Sequence, residues 1–258
     1  MRNVNFVRGF SSEWLKLVTN RAVRGTTVGF LCAAWVLMGL SAWAMRQVGL
    51  EKAGMDPKSA LTTICAGLNA NIIIILIAVG VLAVTSEYSS HTMRVTTMSL
   101  PSRPLTFSVK LTATACFALL AAVVCLAGQI GIGAWLGGFP VSFTDGRWWI
   151  FVSVVLCQVL GAVAGLGLGY LMRSSAGAIV TEALVLALGA FLMFIPQQWF
   201  QDHILPAVPP IALTNATALL DVPSTMTQVP TIGSFAIWAA WSVGLAVIGL
   251  VRYHHTDV

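Results

Sequence analysis

Six stretches of the chain are long and almost without polar interruption, at approximately Thr26–Met45, Thr62–Val84, Leu105–Leu136, Trp148–Met172, Ala176–Pro196 and Ile232–Val251. A helix needs about 20 mostly apolar residues to cross ~30 Å of hydrocarbon, and inside it every backbone polar group must find its partner within the segment. The pattern predicts six membrane helices. The third stretch exceeds one span, which implies tilt or a cytoplasmic extension near Lys110. Before the first stretch, Phe6, Phe10, Trp14 and Leu17 or Val18 recur at helical spacing, with Arg8, Glu13, Lys16 and Arg21 largely on other faces. Residues 1–25 therefore read as an amphipathic helix in the inner interface, with its aromatic stripe among acyl chains and its cations on anionic headgroups. Its length, and a following apolar stretch longer than the ~7–15 residues of a signal sequence, favour a retained first span despite the Ala42-Trp43-Ala44 triplet. With no internal repeat, the prediction is one all-α membrane domain: the leading helix, a six-helix body over 26–251 and a cytoplasmic tail over 252–258.

Composition narrows the class. Charged residues make up 9% of the chain and apolar ones 57%, with mean hydropathy +0.86. Soluble domains carry roughly 25% charged residues, so a water-soluble globule is excluded, as are a disordered chain, a coiled coil and a disulfide scaffold. The net charge of +5 comes from cations scattered between apolar blocks, which argues against nucleic acid and for membrane topology. With both termini inside, Arg2, Arg8, Lys16, Arg21, Arg24, Arg94, Arg103, Lys110, Arg173 and Arg252 are cytoplasmic. Only Arg46, Lys52, Lys58 and Arg147 are external. Tyr88, Tyr170 and Tyr253 then fall at inner ends, and Trp43, Trp135, Trp148, Trp149 and Trp199 at the outer interface. The five cysteines lie within or beside apolar blocks without a C-x-x-C pair or a nearby His, so they read as small buried or lipid-facing residues.

The link between the second and third stretches, about 85–108, is long for a bundle connection and polar. Thr85 or Ser86 is placed to cap a short helix, Glu87 suits its positive end, and Pro101 with Pro104 ends it. A structured polar helix on the cytoplasmic face points to contact with a partner.

Ser12–Arg21 (Ser-Glu-Trp-Leu-Lys-Leu-Val-Thr-Asn-Arg), Glu87-Tyr88, Thr92-Met93-Arg94 and Pro101, together with the six-span layout, resemble ABC-2 type transporter permeases over nearly the whole chain. The resemblance implies a permease subunit of an ATP-binding-cassette exporter in a bacterial cell membrane, paired with a second permease copy or a homologous permease and with a separate ATP-binding subunit. Glu87, Tyr88, Thr92, Met93 and Arg94 would then belong to a coupling helix that docks on that subunit. Spans two and five would line the substrate path, and short re-entrant helices would lie between spans five and six. Ser89, Ser90 and His91 depart from the family pattern, which has more basic residues or Gly there. The chain has no G-x-x-x-x-G-K-[ST] run, and none of Lys16, Lys52, Lys58 or Lys110 follows a glycine. ATP and Mg are thus expected on the partner, with no cofactor or metal on this chain and no enzymatic activity of its own.

Within the apolar stretches Glu182 is the only acid, about eight positions into the fifth and so roughly 12 Å from its inner end at ~1.5 Å per residue. A charge at that depth calls for a wet cavity, a partner or a proton. Its role is either in the substrate path or in an interhelical hydrogen bond. Asn69 and Asn71 are weaker candidates, since amides also hold membrane helices together. Gly161, Gly165 and Gly169, and Gly133 with Gly137, form small-residue rows suited to close helix packing. The outer segment 197–231 is rich in both proline and apolar residues, which suggests short helices dipping back toward the membrane. Asn215-Ala216-Thr217 is a weak sequon, and His254-His255 reads as a solvated tail. Three other functions remain open on these residues: a proton-coupled secondary transporter using Glu182, an intramembrane enzyme, and a non-transporting anchor or sensor. The first lacks inverted repeats and multiple ion ligands, and the second lacks a His-carboxylate cluster.

Overall fold

The computed structural model describes residues 2–50, 52–89, 103–144, 146–218 and 229–255. All regular structure among them is helical: α1 (Arg2–Thr19), α2 (Arg21–Val48), α3 (Pro57–Ser89), α4 (Arg103–Gly137), α5 (Arg147–Met172), α6 (Ser175–Leu192), α7 (Gln198–His203), a 3-10 turn (Leu205–Ala207), α8 (Pro209–Ala216) and α9 (Thr231–His255). Five of these, α2, α3, α4, α5 and α9, are long and apolar enough to cross a membrane. The chain is a polytopic helical membrane protein. The fifth predicted span is shorter than its apolar stretch suggested: α6 stops at Leu192, and the residues up to Pro196 leave the helix before α7 begins.

Two boundaries differ from the expectation for a local reason. Residues 1–25 do not form one helix. Asn20 takes an extended conformation and its side chain accepts hydrogen bonds from the Ala22 and Val23 N–H groups, so it caps a new helix. Arg21, assigned above to the interfacial helix, is therefore the first residue of α2. Thr85 and Ser86 do not start a fresh helix either. Thr85 Oγ1 donates back to the Val81 carbonyl at 3.0 Å, four residues upstream, and α3 runs on through Ser89.

Helix α5 is the most enclosed span, followed by α3, while α2, α4 and α9 expose most of their apolar surface. Glycine spacing explains the arrangement. Gly161, Gly165 and Gly169 recur every four residues and face α3. A Cβ on Gly165 would collide with the Ile77 carbonyl, and one on Gly80 of α3 would strike the Ala162 carbonyl. Gly167 lies two residues on, about 200° around the helix, and faces α9, where Gly249 approaches the Gly167 carbonyl. Backbones thus touch on both sides of α5. The Gly133 and Gly137 row of α4 works differently: Gly133 receives Met38 and Leu61, and Gly137 is covered by the Phe139 ring, folded back after Gly138 with φ +66°. A two-residue turn joins α5 to α6. Arg173 adopts φ 53° with its guanidinium 5.5 Å from the Tyr88 ring centre, and the Ser174 hydroxyl accepts from the Gly177 N–H.

Between α6 and α9 the apolar outer segment is tucked inward. Ile211, Ala212, Leu213 and Ala216 of α8 are buried, and Ala212, Leu213 and Ala216 share a core with Ile73, Ile77, Cys157 and Trp238.

Candidate functional site

Helix α1 sets Gly9, Glu13 and Leu17 in one buried row, four residues apart. Glu13, expected on an outer face, instead points into the protein and is 3% exposed. The reason is Lys110 of α4, 2% exposed and placed inside an apolar stretch. Its ammonium donates to Glu13 Oε2 at 2.5 Å, to Glu87 Oε1 at 2.8 Å and to the Ala83 carbonyl at 3.3 Å. Lys16 donates to Glu13 Oε1 at 2.6 Å and to Glu87 Oε1 at 2.8 Å while 44% of its side chain stays exposed. Among the described residues two ammoniums meet two carboxylates, with opposite charges in equal number, and the cluster ties α1, α3 and α4 together. Enclosing it is tolerable because each charge finds partners. Burial alone pushes the Glu13 carboxyl up, but Lys110 and the hydrogen bonds from Lys110 and Lys16 outweigh it and hold the group below its ordinary value. Lys16 mirrors this: burial lowers its ammonium, and the two carboxylates raise it above the ordinary value on balance.

The aromatic stripe of α1 is shared between the bundle and its surroundings. Phe10 stacks on Trp14 at 6.1 Å, and Trp14 meets Phe117 of α4 edge-on at 6.0 Å, with Phe6 half-buried beyond them. Of the residues assigned to partner docking, Glu87 is 5% exposed and turned into the ion cluster. Tyr88 packs with Phe107, Tyr170 and Tyr253 where α3, α4, α5 and α9 converge. Thr92, Met93 and Arg94 lie outside the described residues.

The three residues proposed for the substrate path occupy separate environments. Asn69 is buried between spans: its amide donates to Gln129 Oε1 of α4 at 2.7 Å and to the Cys65 carbonyl at 2.8 Å, and Gln158 of α5 donates to Asn69 Oδ1 at 3.1 Å. One amide from each of three helices makes a polar nucleus in an otherwise apolar core. Asn71, two residues on, is exposed, donates to the Gly67 carbonyl and lines a cleft of about 410 Å³ against Leu186, Pro210 and Thr214. Glu182 projects from α6 and is 4% exposed, and its carboxylate has no hydrogen-bond or ion-pair partner among the described residues. It lines a second cavity of about 200 Å³ between α5, α6, α9 and the start of α8.

Sequence reasoning missed Glu13, Lys110, Gln129 and Gln158 as members of these clusters. A signal was present for each. Lys110 needed a counter-ion once inside an apolar stretch, and Glu13 and Glu87 are acids in the polar segments flanking the first and second stretches. Gln129 and Gln158 are each the one side-chain amide of their stretch, and the second stretch carries two, Asn69 and Asn71.

No family model matches the chain, and no curated protein matches it significantly.

Proposed function

We propose that the chain is the permease subunit of an ATP-binding-cassette exporter of the ABC-2 type, working as a pair of permeases with two ATP-binding subunits in the cell membrane. In this reading α6 is a sixth, short span, both termini are cytoplasmic, and α7, the 3-10 turn and α8 are the re-entrant segment. The depth of α8 supports the last point: it packs on Ile73 and Ile77, near the middle of α3, where irregular backbone is tolerated only if protein covers it.

The observation that carries the reading is the ion cluster at the end of α3. The polar link resembling a coupling helix begins directly after Ser89, and two residues earlier Glu87 is bonded to Lys16 and Lys110. A push on the link is thereby delivered to α1, α3 and α4 at once, which is what coupling to closure of an ATP-binding subunit requires. The test is purification of the tagged chain from its native membrane. A nucleotide-binding polypeptide should copurify with ATPase activity, and Arg94→Glu should abolish that association while the permease remains inserted. Repeated purification without any such polypeptide would reject the reading.

The rival, a proton-coupled transporter acting through Glu182, draws on the unpartnered burial of that carboxylate. Transport that persists without ATP and collapses with the proton gradient would favour it.

A further inference from the structure

The cavity at Glu182 has a chemistry that neither the ion cluster nor the amide nucleus shares. Among its described lining residues Glu182 is the only charged one; the residue is 4% exposed, and its carboxylate has no partner among the described residues. Trp238 and Trp241 form much of the wall. Both indole N–H groups are committed elsewhere, Trp238 to the Cys157 carbonyl at 3.2 Å and Trp241 to the Ala207 carbonyl at 2.8 Å, so what they offer the cavity is ring surface. The Ser242 hydroxyl is likewise committed, donating to the Trp238 carbonyl at 2.9 Å. The occupant therefore meets one negative charge, two indole faces and the hydroxyl oxygens of Thr181 and Ser242 in an otherwise apolar lining.

We infer that this cavity binds an amphipathic monocation whose charge is weakly hydrated, of the aryl-alkyl quaternary ammonium class. A primary ammonium is compact and strongly hydrated, and a mostly apolar cavity replaces little of that hydration shell. A quaternary ammonium keeps its charge at every pH and is attracted by indole faces as well as by a carboxylate. The size matches: about 200 Å³ accommodates a trimethylammonium group with one aryl ring, and not a cation bearing four rings. Val185 and Trp241 lie at the rim with substantial exposure, so the mouth faces the perimeter of the bundle, where an amphipathic solute partitions from the acyl chains. As a binding site the assignment stands by itself; as the class of molecule exported it rests on the permease reading.

The test uses the purified full-length chain in lipid nanodiscs, without any ATP-binding subunit, and benzyltrimethylammonium as probe. Binding is read by equilibrium dialysis. The wild type should bind the cation, and its neutral carbon isostere, neopentylbenzene, at least tenfold more weakly. Glu182→Gln, which keeps the shape and removes the charge, should weaken cation binding by about tenfold or more and leave neopentylbenzene binding unchanged, which also reports that the cavity is intact. Trp241→Leu, at the partly exposed rim, should weaken the cation several-fold and tetraphenylphosphonium should not compete. Equal binding of the cation and its isostere, or cation binding indifferent to Glu182→Gln, overturns the proposal. Should Glu182→Gln fail to fold, the wild-type comparison of cation with isostere decides alone. Binding without a copurifying ATPase would keep the site and sink the permease reading. A copurifying ATPase without binding would do the reverse.

Discussion

Replacing Lys110 by Met tests whether the ion cluster is enclosed or merely a surface ion pair seen edge-on. The ammonium makes three contacts, to Glu13, Glu87 and the Ala83 carbonyl, at 2% exposure. Its loss leaves two carboxylates in a poorly solvated site that they share with the half-exposed Lys16. Removing one partner from a buried ion cluster destabilises by roughly 3–5 kcal/mol. Lys16→Met removes the same formal charge, but from a side chain that water already screens, so its expected loss is about 0.2–1 kcal/mol. The double variant Glu13→Gln/Lys110→Met leaves Glu87 facing Lys16 at zero net charge and should recover roughly 1–3 kcal/mol relative to the sum of the two single changes. The assay is denaturant titration in mixed micelles, read by a thiol-reactive dye on the buried Cys65, Cys125 and Cys157 after the exposed Cys32 and Cys116 are changed to Ser. Equal losses for Lys16→Met and Lys110→Met, or strict additivity in the double variant, would refute the enclosure.

The pH dependence follows with its sign. Glu13 is held below its ordinary 4.5, so its contribution is complete above that value and is lost as pH falls through the lowered one. Lys16 is held above its ordinary 10.5, so its contribution is complete below that and disappears as pH rises through the raised one. A spin label at the exposed position Leu15 should therefore keep constant mobility from about pH 5 to about pH 10 and loosen outside that window; loosening near neutrality would contradict the cluster. Gly165→Ala drives a methyl into the Ile77 carbonyl and should destabilise by about 1–3 kcal/mol or more. Gly131→Ala, with nothing within 4 Å, should stay within ~0.5 kcal/mol of the wild type, and equal effects would deny the α3–α5 backbone contact. On the proposed orientation, drawn from the cation asymmetry, cysteines placed at Lys52 or Lys58 should react with an impermeant reagent from outside, and one at Thr19 only after permeabilisation.

Membrane helices announce themselves through uninterrupted apolarity, which is why α2, α3, α4, α5 and α9 were legible before any coordinates. The glycine rows of α5 were equally visible as packing surfaces, although their partners were not: period four gives a face, and only tertiary structure says that one face meets α3 while Gly167 meets α9. The reading failed where a local rule competed with a tertiary one. Phe6, Phe10 and Trp14 define a hydrophobic stripe strong enough to set the apparent buried face of α1, read from the sequence as lying among acyl chains. The true inward row is one position earlier, at Gly9, Glu13 and Leu17, because an ammonium on another helix is worth more to Glu13 than water is. Thr85 and Ser86 look like caps for the same reason that Thr and Ser hydroxyls suit any freed N–H. Inside an apolar core such a hydroxyl can satisfy itself on the i−4 carbonyl, and the helix need not end.

These placements bear on how motion could pass through the bundle. Backbone contact at Gly80, Gly165, Gly167 and Gly249 joins α3, α5 and α9 without flexible side chains in between, so the three resist sliding and move most cheaply as one body. If the end of α3 frayed when the following link was pulled, Glu87 would be drawn away from Lys110, and an ammonium at 2% exposure would keep only Glu13 and the Ala83 carbonyl. Such a break costs several kcal/mol, more than the one or two backbone hydrogen bonds, at about 1 kcal/mol each, that hold a last helical turn. The cheaper response is for α3 to carry α1 and α4 with it. Force applied after Ser89 is then not dissipated at the helix terminus but handed to the packed α3, α5 and α9. Helix α6, attached by a two-residue turn and walling the Glu182 cavity from one side, is where their displacement changes a volume.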